Sequence, residues 1–261
     1  MKLQPDFRPL GCAECAHATD LGFDFTMAFQ PIVNTTTREI FAHEALVRGL
    51  GNEPAGQVFT HVNDTNLYRF DQSCRTKAIK LAAELGMPSM LSINFMPNAV
   101  YRPELCIRTT LAAAETYGFP IERIIFEINE AEKVDDIGHM REIVAYYRQR
   151  GFKTAIDDFG AGYAGLNLLA EIQTDILKLD MALIRHIDQR KVNHAIVRGV
   201  MQVCLELGIT VIAEGVETYE EFAVLQALGI ELFQGYYFAR PAFQALAGVE
   251  PERFAPSHGQ D

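Results

Sequence analysis

Acidic and amide side chains follow a series of short apolar segments along this chain. Each segment is rich in β-branched and aromatic residues, and the polar residue lies at or near its carboxyl end. The acids and amides concerned are Glu44, Asn94, Glu127, Asp157, Asp158, Asp180, Glu214, Glu217 and Gln234, and the segment that ends at Asp180 also carries Lys178. One acid in such a place commonly caps the next helix or faces water. Recurrence at seven segments indicates instead that the side chains converge on one site.

Converging carboxylates repel one another unless a cation lies among them. Their oxygens are ligands that suit Mg²⁺ or Mn²⁺. A metal would also let an acidic protein bind a phosphate ligand, because it inverts the local charge. His43 adjoins Glu44, but neighbouring side chains of a strand face opposite ways. We therefore expect His43 to serve packing or to lie at the surface.

A glycine pattern follows the aspartate pair. Gly160-Ala-Gly162-Tyr-Ala-Gly165 matches the GxGxxG pattern of dinucleotide-binding folds, and Asp180 lies downstream at a suitable distance. The two preceding aspartates would repel a pyrophosphate, and four predicted strands precede the pattern, which usually opens its fold. We interpret the segment as a mobile glycine-rich loop beside a metal pair.

Short β-rich segments alternate with amphipathic helical ones along most of the chain. The predicted strands are 23–33, 39–47, 90–95, 123–128, 153–159, 175–180, 210–216 and 231–238. Asp71 is interpreted as the N-cap of a helix that Gly86 ends. Thr218 and Glu221 form a capping box for a helix that ends at Gly229. Further helices are predicted near 104–117, 136–150 and 190–207.

Only the first two strands lack a helix between them. The polar turn 34–37 joins them, so they should pair as an antiparallel hairpin. Eight strands with this alternation predict an α/β fold, a modified (β/α)8 TIM-like barrel with one antiparallel strand. A doubly wound open sheet is the alternative. In a barrel, the polar side chains would meet at the carboxyl ends of the strands.

Composition excludes several classes of protein. The 261 residues include 23 Lys+Arg and 34 Asp+Glu, for a net charge of −11, and 49% are hydrophobic. Such a chain can build a core and is not disordered. It lacks the basic face of a duplex nucleic-acid binder. No apolar run is long enough for a membrane span, and the N-terminus does not resemble a secretion signal.

Cysteine usage indicates a reducing compartment. Five cysteines in a chain of this size suggest free thiols and a cytoplasmic location. Cys12, Cys15 and His17 could form half a zinc site or a redox pair. A zinc site usually needs four ligands, so we interpret these residues as part of a loose tail with free thiols.

The ordered set of strand-end motifs resembles the EAL family of cyclic di-GMP phosphodiesterases. The similarity covers about residues 25–245. Its motifs are Glu44-Ala-Leu-Val-Arg48, Ser92-Ile-Asn94, Phe126-Glu-Ile-Asn-Glu130, Asp157-Asp-Phe-Gly-Ala-Gly162, Leu177-Lys-Leu-Asp180, Ala213-Glu-Gly-Val-Glu217 and Gln234-Gly-Tyr236. The resemblance implies hydrolysis of cyclic di-GMP to linear pGpG with two Mg²⁺ or Mn²⁺ ions. Ca²⁺, which tolerates looser geometry, is expected to bind and inhibit.

The resemblance also implies roles for individual residues. Those implied for the first metal are Glu44, Asn94, Glu127 and Asp157. Those implied for the second metal, directly or through water, are Asp157, Asp158, Asp180 and Glu217. Catalytic roles are implied for Glu44, Asp158, Lys178 and Glu214. Of these, Lys178 would steer the attacking water, and Glu214 would hold the water or metal network. Contacts with the dinucleotide fall to Gln30, Arg48 and Gln234, and Glu130 would anchor the loop after the aspartate pair.

One departure from the family pattern concerns that loop, which takes part in dimer contacts in the family. Ala164 and Gly165 occupy positions where the family usually has two serines. Because no implied metal-ligand position is lost, we expect a softer loop rather than an inactive enzyme.

The resemblance divides the chain into three parts. They are an N-terminal extension at 1–24, the phosphodiesterase barrel at 25–248 and a tail at 249–261. The extension is too short for a sensor domain, so regulation is expected from a protein partner, the tail or oligomerisation, and a homodimer is expected. The alternative function is a catalytically weak or silent cyclic di-GMP receptor or scaffold of the same fold.

Overall fold

The computed structural model of the chain describes residues 21–96, 103–129, 137–162 and 165–254. The strands in this part of the chain are β1 Thr26–Asn34, β2 Glu39–Arg48, β3 Met90–Asn94, β4 Ile124–Asn129, β5 Lys153–Phe159, β6 Ile176–Leu179, β7 Thr210–Ala213, β8 Leu232–Phe233 and β9 Ala242–Phe243. The α-helices are α1 Ala55–Phe59, α2 Leu67–Glu84, α3 Pro103–Cys106, α4 Arg108–Tyr117, α5 Ile137–Gln149, α6 Gly165–Glu171, α7 Met181–Ile184, α8 Lys191–Leu207 and α9 Tyr219–Ala227.

The sheet closes into a barrel. Strands β2 to β8 are parallel neighbours in chain order, and β1 pairs antiparallel with both β8 and β2. The short strand β9, outside the predicted set of eight, pairs with Ala28 and Phe29 of β1, on the edge that β8 uses at Val33 and Asn34. The modified (β/α)8 barrel with one antiparallel strand is confirmed, and the open-sheet alternative is wrong because β1 leaves no free edge between β8 and β2.

The barrel interior has two layers of different chemistry. The lower layer is apolar and consists of Ile32, Ala42, Ile125, Ala155, Ile176, Ile212 and Leu232. On the parallel strands, the residues two positions further along are polar. Because side chains alternate along a strand, residues two apart face the same side. The apolar layer therefore closes the bottom of the barrel, and the polar layer lies above it at the carboxyl ends of the strands.

Most helix predictions hold, with one correction at Asp71. Thr218 and Glu221 form the predicted capping box of α9. Asp71, however, is the fifth residue of α2 rather than its cap, since that helix begins at Leu67. It is buried and pairs with Arg75 one turn later, which satisfies a carboxylate that would otherwise be unfavourable inside a helix.

The segments at the strand ends also differ from prediction. Strands β7 and β8 stop at Ala213 and Phe233, because the residues that follow turn into loops that bear the site. Part of the predicted mobile loop is helical, as α6 begins at Gly165. Glu130, Ala164 and the Cys12, Cys15 and His17 cluster lie outside the described residues. Among the described helices, none combines the length and apolarity needed to cross a bilayer.

Candidate metal and active site

Strand alternation places the predicted site residues in the upper layer of the barrel. Glu44 lies two residues beyond Ala42, and Lys178 lies two residues beyond Ile176 of the apolar layer. His43, on the opposite face of β2, is buried with its Nδ1 2.8 Å from Ser89 Oγ. It packs away from the site, as the alternation predicts.

Lys178 lies at the centre of the polar layer and is fully buried. Its Nζ is 2.6 Å from Glu214, 2.8 Å from Glu127, 2.9 Å from Asp157 and 3.6 Å from Glu44. Three of these carboxylates lie on β2, β4 and β5, and Glu214 directly follows β7. One ammonium group therefore neutralises only part of their combined charge.

The acids form two groups with the geometry of cation sites. Glu44, Glu127 and Asp157 each place one oxygen within 4.8 Å of the others. Asp157, Asp158 and Glu214 do the same. Asp157 belongs to both groups, so the two candidate sites are adjacent and share a ligand.

Burial and mutual repulsion disfavour the charged forms of these acids. Burial, only partly opposed by Lys178, raises the pKa of Glu127 well above its ordinary value. Burial and the charge of Asp157 raise the pKa of Glu214 in the same direction, and they raise the pKa of Asp158 to about 6. Burial alone would lower the pKa of Lys178, but the surrounding carboxylates outweigh it and hold that pKa well above ordinary. Further positive charge in this layer would favour the ionised acids.

The first group of acids fits a divalent cation by its remaining donor atoms. Glu127 Oε1 accepts a hydrogen bond of 2.6 Å from Ser92 Oγ. Glu127 Oε2 is buried and has no hydrogen-bond partner among the described residues. Asn94 adjoins the group, since its Nδ2 donates to Glu44 Oε1 at 2.9 Å. Carboxylate and amide oxygens with an unsatisfied lone-pair site are suitable for Mg²⁺ or Mn²⁺.

A cleft of about 280 Å³ opens above the two groups. Gln234 Nε2 donates to Glu44 Oε2 at 2.7 Å, and Gln30 Nε2 donates to the carbonyl of Ala239 at 3.2 Å. The cleft thus presents amide groups beside the acids. Its lining residues are Gln30, Glu44, Asp157, Asp158, Asp180, Met181, Glu214, Gly215, Glu217, Gln234, Gly235 and Tyr236.

Three predicted residues lie at the margin of the site. Asp180 lines the cleft, but its Oδ1 caps α7 by accepting from the Ala182 amide at 2.8 Å. Glu217 also lines the cleft, and its Oε1 is 3.1 Å from Arg185. Arg48 donates to the carbonyl of Val47 at 2.7 Å and is not among the described residues that line the cleft.

Two supporting residues were missed as functional by sequence reasoning. Ser92 donates to Glu127, and Asn129 donates to Asp158 Oδ2. Both could have been found from strand alternation. Ser92 lies two residues before Asn94 on β3, and Asn129 lies two residues after Glu127 on β4, so each shares the inward face.

A family model described as EAL domain matches residues 17–241. The solved structure of a standalone versatile EAL protein from Vibrio cholerae O395, in a c-di-GMP bound form, is 60% identical with a TM-score of 0.86. That match covers 88% of this chain and 98% of the Vibrio chain.

Curated relatives are longer than this chain. The blue light- and temperature-regulated antirepressor BluF of Escherichia coli strain K12 is 32% identical over 87% of this chain and 57% of its own length. The cyclic di-GMP phosphodiesterase RocR of Pseudomonas aeruginosa PAO1 is 31% identical over 66% of this chain and 43% of its own length. This chain thus spans about half the length of these relatives.

Proposed function

The chain belongs to the EAL domain family, and from this premise we propose that it is a metal-dependent phosphodiesterase that hydrolyses cyclic di-GMP to linear pGpG. In this reaction water adds to one phosphorus, and the bond from that phosphorus to the 3′ oxygen breaks. The products of that step are a 5′ phosphate and a free 3′ hydroxyl on one linear dinucleotide.

The observation that carries the proposal is the pair of acid groups joined by Asp157 around a buried lysine. Glu44, Asn94, Glu127 and Asp157 would hold one divalent ion. Asp157 and Asp158 would hold the second, with Glu214, Asp180 and Glu217 nearby, directly or through water. When bound, such ions activate water and neutralise charge that develops on a phosphodiester.

The chain's own residues then orient the reactants. Lys178 Nζ donates to the attacking water and fixes its direction, while Glu214, whose carboxylate is 2.6 Å from Lys178, accepts from the same water. Gln30 and Gln234 hold the dinucleotide by their amides at the cleft, and Arg48 contacts it from the end of β2. Positioning of this kind lowers the entropic part of the activation free energy of hydrolysis.

The direct test is incubation of the pure protein with cyclic di-GMP and Mg²⁺ or Mn²⁺, followed by separation of the products. We expect pGpG from the wild type and none from Lys178→Met, which retains the length of the side chain but not its donors. Binding of cyclic di-GMP without pGpG formation would support the alternative, a silent receptor. BluF, an antirepressor by name, is the relative that favours this second function.

Assembly as a homodimer is part of the proposal, and the surface of α8 supports it. Val192, Ile196, Val203 and Leu207 are exposed and share one face of this helix, with Gly199 between them. In an antiparallel pairing about the middle of the helix, Val192 would meet Leu207 and Ile196 would meet Val203 of the second copy. Lys191 at one end would then lie near Glu206 of the other copy, which makes the surface self-complementary in charge.

Sedimentation of the wild type should give a dimer mass. Ile196→Glu should give a monomer, whereas Leu205→Glu, which changes an exposed residue on another face of α8, should not. A monomeric wild type would contradict the dimer.

The proposed location is the cytoplasm, in keeping with the free thiols of Cys74, Cys106 and Cys204.

A further inference from the structure

A buried ion pair lies in α2, outside the cleft. Arg75 is fully buried, and its Nη2 is 2.5 Å from Asp71 Oδ2. Neither residue lines the cleft or belongs to the two acid groups. Apolar residues of similar volume are often equally stable in place of such a pair, so stability alone does not account for it.

The second oxygen of Asp71 holds the chain just beyond β3. Asp71 Oδ1 accepts a hydrogen bond of 3.0 Å from the Met96 amide. Met96 lies two residues after Asn94, and the intervening Phe95 amide donates to the Glu127 carbonyl at 3.1 Å. The end of β3 is therefore fixed both to α2 and to β4, at the two residues that directly follow the predicted ligand Asn94.

Arg75 supports the neighbouring strand. Its guanidinium carbon lies 5.9 Å from the centre of the Phe126 ring, and Phe126 directly precedes Glu127 on β4. Phe95 and Tyr147 pack against Phe126 with ring centres 5.7 and 5.0 Å away. The ion pair thus contacts residues close to both predicted ligands. Asp71 binds the Met96 amide, two residues after Asn94, and Arg75 lies over the ring of Phe126, next to Glu127.

We propose that Asp71 and Arg75 are positioning residues for the first metal site, which set its affinity by fixing the strand ends that bear Asn94 and Glu127. This inference rests on the proposed function. Residues that orient ligands without touching the metal commonly change metal affinity about 10–100-fold when they are removed.

The test compares Mn²⁺ binding by calorimetry, without substrate, across a small set of variants. The double change Asp71→Leu with Arg75→Met removes the pair while keeping an apolar core. We expect its Mn²⁺ dissociation constant to rise at least about 10-fold. Asp71→Asn retains an oxygen for the Met96 amide and should show a smaller rise, and it serves if the double variant does not fold.

The matched control is Ile79→Ala. Ile79 is a fully buried residue one turn further along the same helix, so its truncation should lower the melting temperature and leave the Mn²⁺ dissociation constant unchanged. Hydrogen exchange at the Met96 amide should accelerate in the double variant more than in Ile79→Ala.

Unchanged Mn²⁺ affinity in a folded double variant would overturn the inference, and so would a wild type that binds no Mn²⁺. The proposed hydrolysis fails on a different observation, namely a wild type that binds Mn²⁺ and forms no pGpG. In that case the variant affinities still decide the positioning role.

Discussion

Glu44 connects three parts of the candidate site. Its two oxygens accept from Asn94 and Gln234, and it lies 3.6 Å from Lys178. It also belongs to the first acid group with Glu127. Its charge therefore affects the candidate metal site, the lysine and the cleft at once.

Glu44→Gln should keep the volume of the side chain and remove its charge. We predict that turnover at saturating Mn²⁺ falls at least about a hundredfold, the scale of losing a major electrostatic contributor. Arg48→Ala is the comparison, since it should raise KM more than it lowers kcat. Near-normal turnover by Glu44→Gln would show that the metal site lies elsewhere.

Glu127 allows a test of the electrostatics without substrate. When folding raises the pKa of an acid, that acid stays protonated to a higher pH in the folded state than in the unfolded state. The folded state therefore loses relative stability as pH rises from the acid's ordinary pKa through its folded pKa. For Glu127 the loss begins near its ordinary value of 4.5 and extends well above it.

In metal-free protein, Glu127→Gln should therefore melt higher than the wild type at pH 7, with the difference shrinking toward pH 4. Thermal unfolding at several pH values measures this. Leu205→Ala, a change at an exposed residue of α8 that has no titratable group, should give an offset that does not vary with pH. An equally constant offset for Glu127→Gln would contradict the raised pKa.

At the scale of elements, the end of β8 depends on one close backbone approach. A Cβ on Gly235 would lie 2.1 Å from the Val216 carbonyl oxygen. The same two segments are joined by the Val216 amide donating to the Gln234 carbonyl at 3.1 Å and the Tyr237 amide donating to the Val216 carbonyl at 3.0 Å. This contact places Gln234 beside the loop that follows Glu214.

Gly235→Ala must separate these segments. We expect a stability loss of about 1–3 kcal/mol, typical of overpacking, and a drop in activity as Gln234 and Glu214 move apart. Denaturant unfolding and product formation measure the two effects. Gly56→Ala in α1 is the control, because its added Cβ meets no heavy atom within 4 Å among the described residues beyond its chain neighbours and the backbone of its own helix. Wild-type behaviour of Gly235→Ala would mean that the loop adjusts without loss.

At the scale of the whole molecule, the uneven charge of the barrel interior is the physical basis of the proposed metal dependence. The net charge is −11, and the upper layer places four carboxylates around one lysine. A divalent ion that binds only the folded state should therefore raise the melting temperature as well as enable turnover.

EDTA treatment should abolish pGpG formation and lower the melting temperature, and Mg²⁺ or Mn²⁺ should restore both. Ca²⁺ should restore the melting temperature without restoring turnover, because it accepts looser coordination. Full activity of metal-free protein would contradict the two-metal site, and so would the absence of any thermal shift with all three ions.

The sequence alone determined the features that follow from local patterns. Alternation along each strand placed Glu44, Glu127, Asp157 and Lys178 on the inward face, and the short turn before β2 predicted the antiparallel hairpin. These features depend on residues close in the chain, so periodicity and turn chemistry suffice to find them.

Only the tertiary structure decided which of these side chains meet. The contacts of Lys178 with acids on or directly after four strands, and the sharing of Asp157 by two groups, depend on how strands distant in sequence are aligned. The local sequence predicts Asp71 as a helix cap, but α2 begins earlier, at Leu67, and packs over the end of β3. Asp71 therefore pairs with Arg75 and accepts from the Met96 amide. Register, burial and the resulting desolvation come from contacts across the whole barrel, and no local pattern in the chain specifies them.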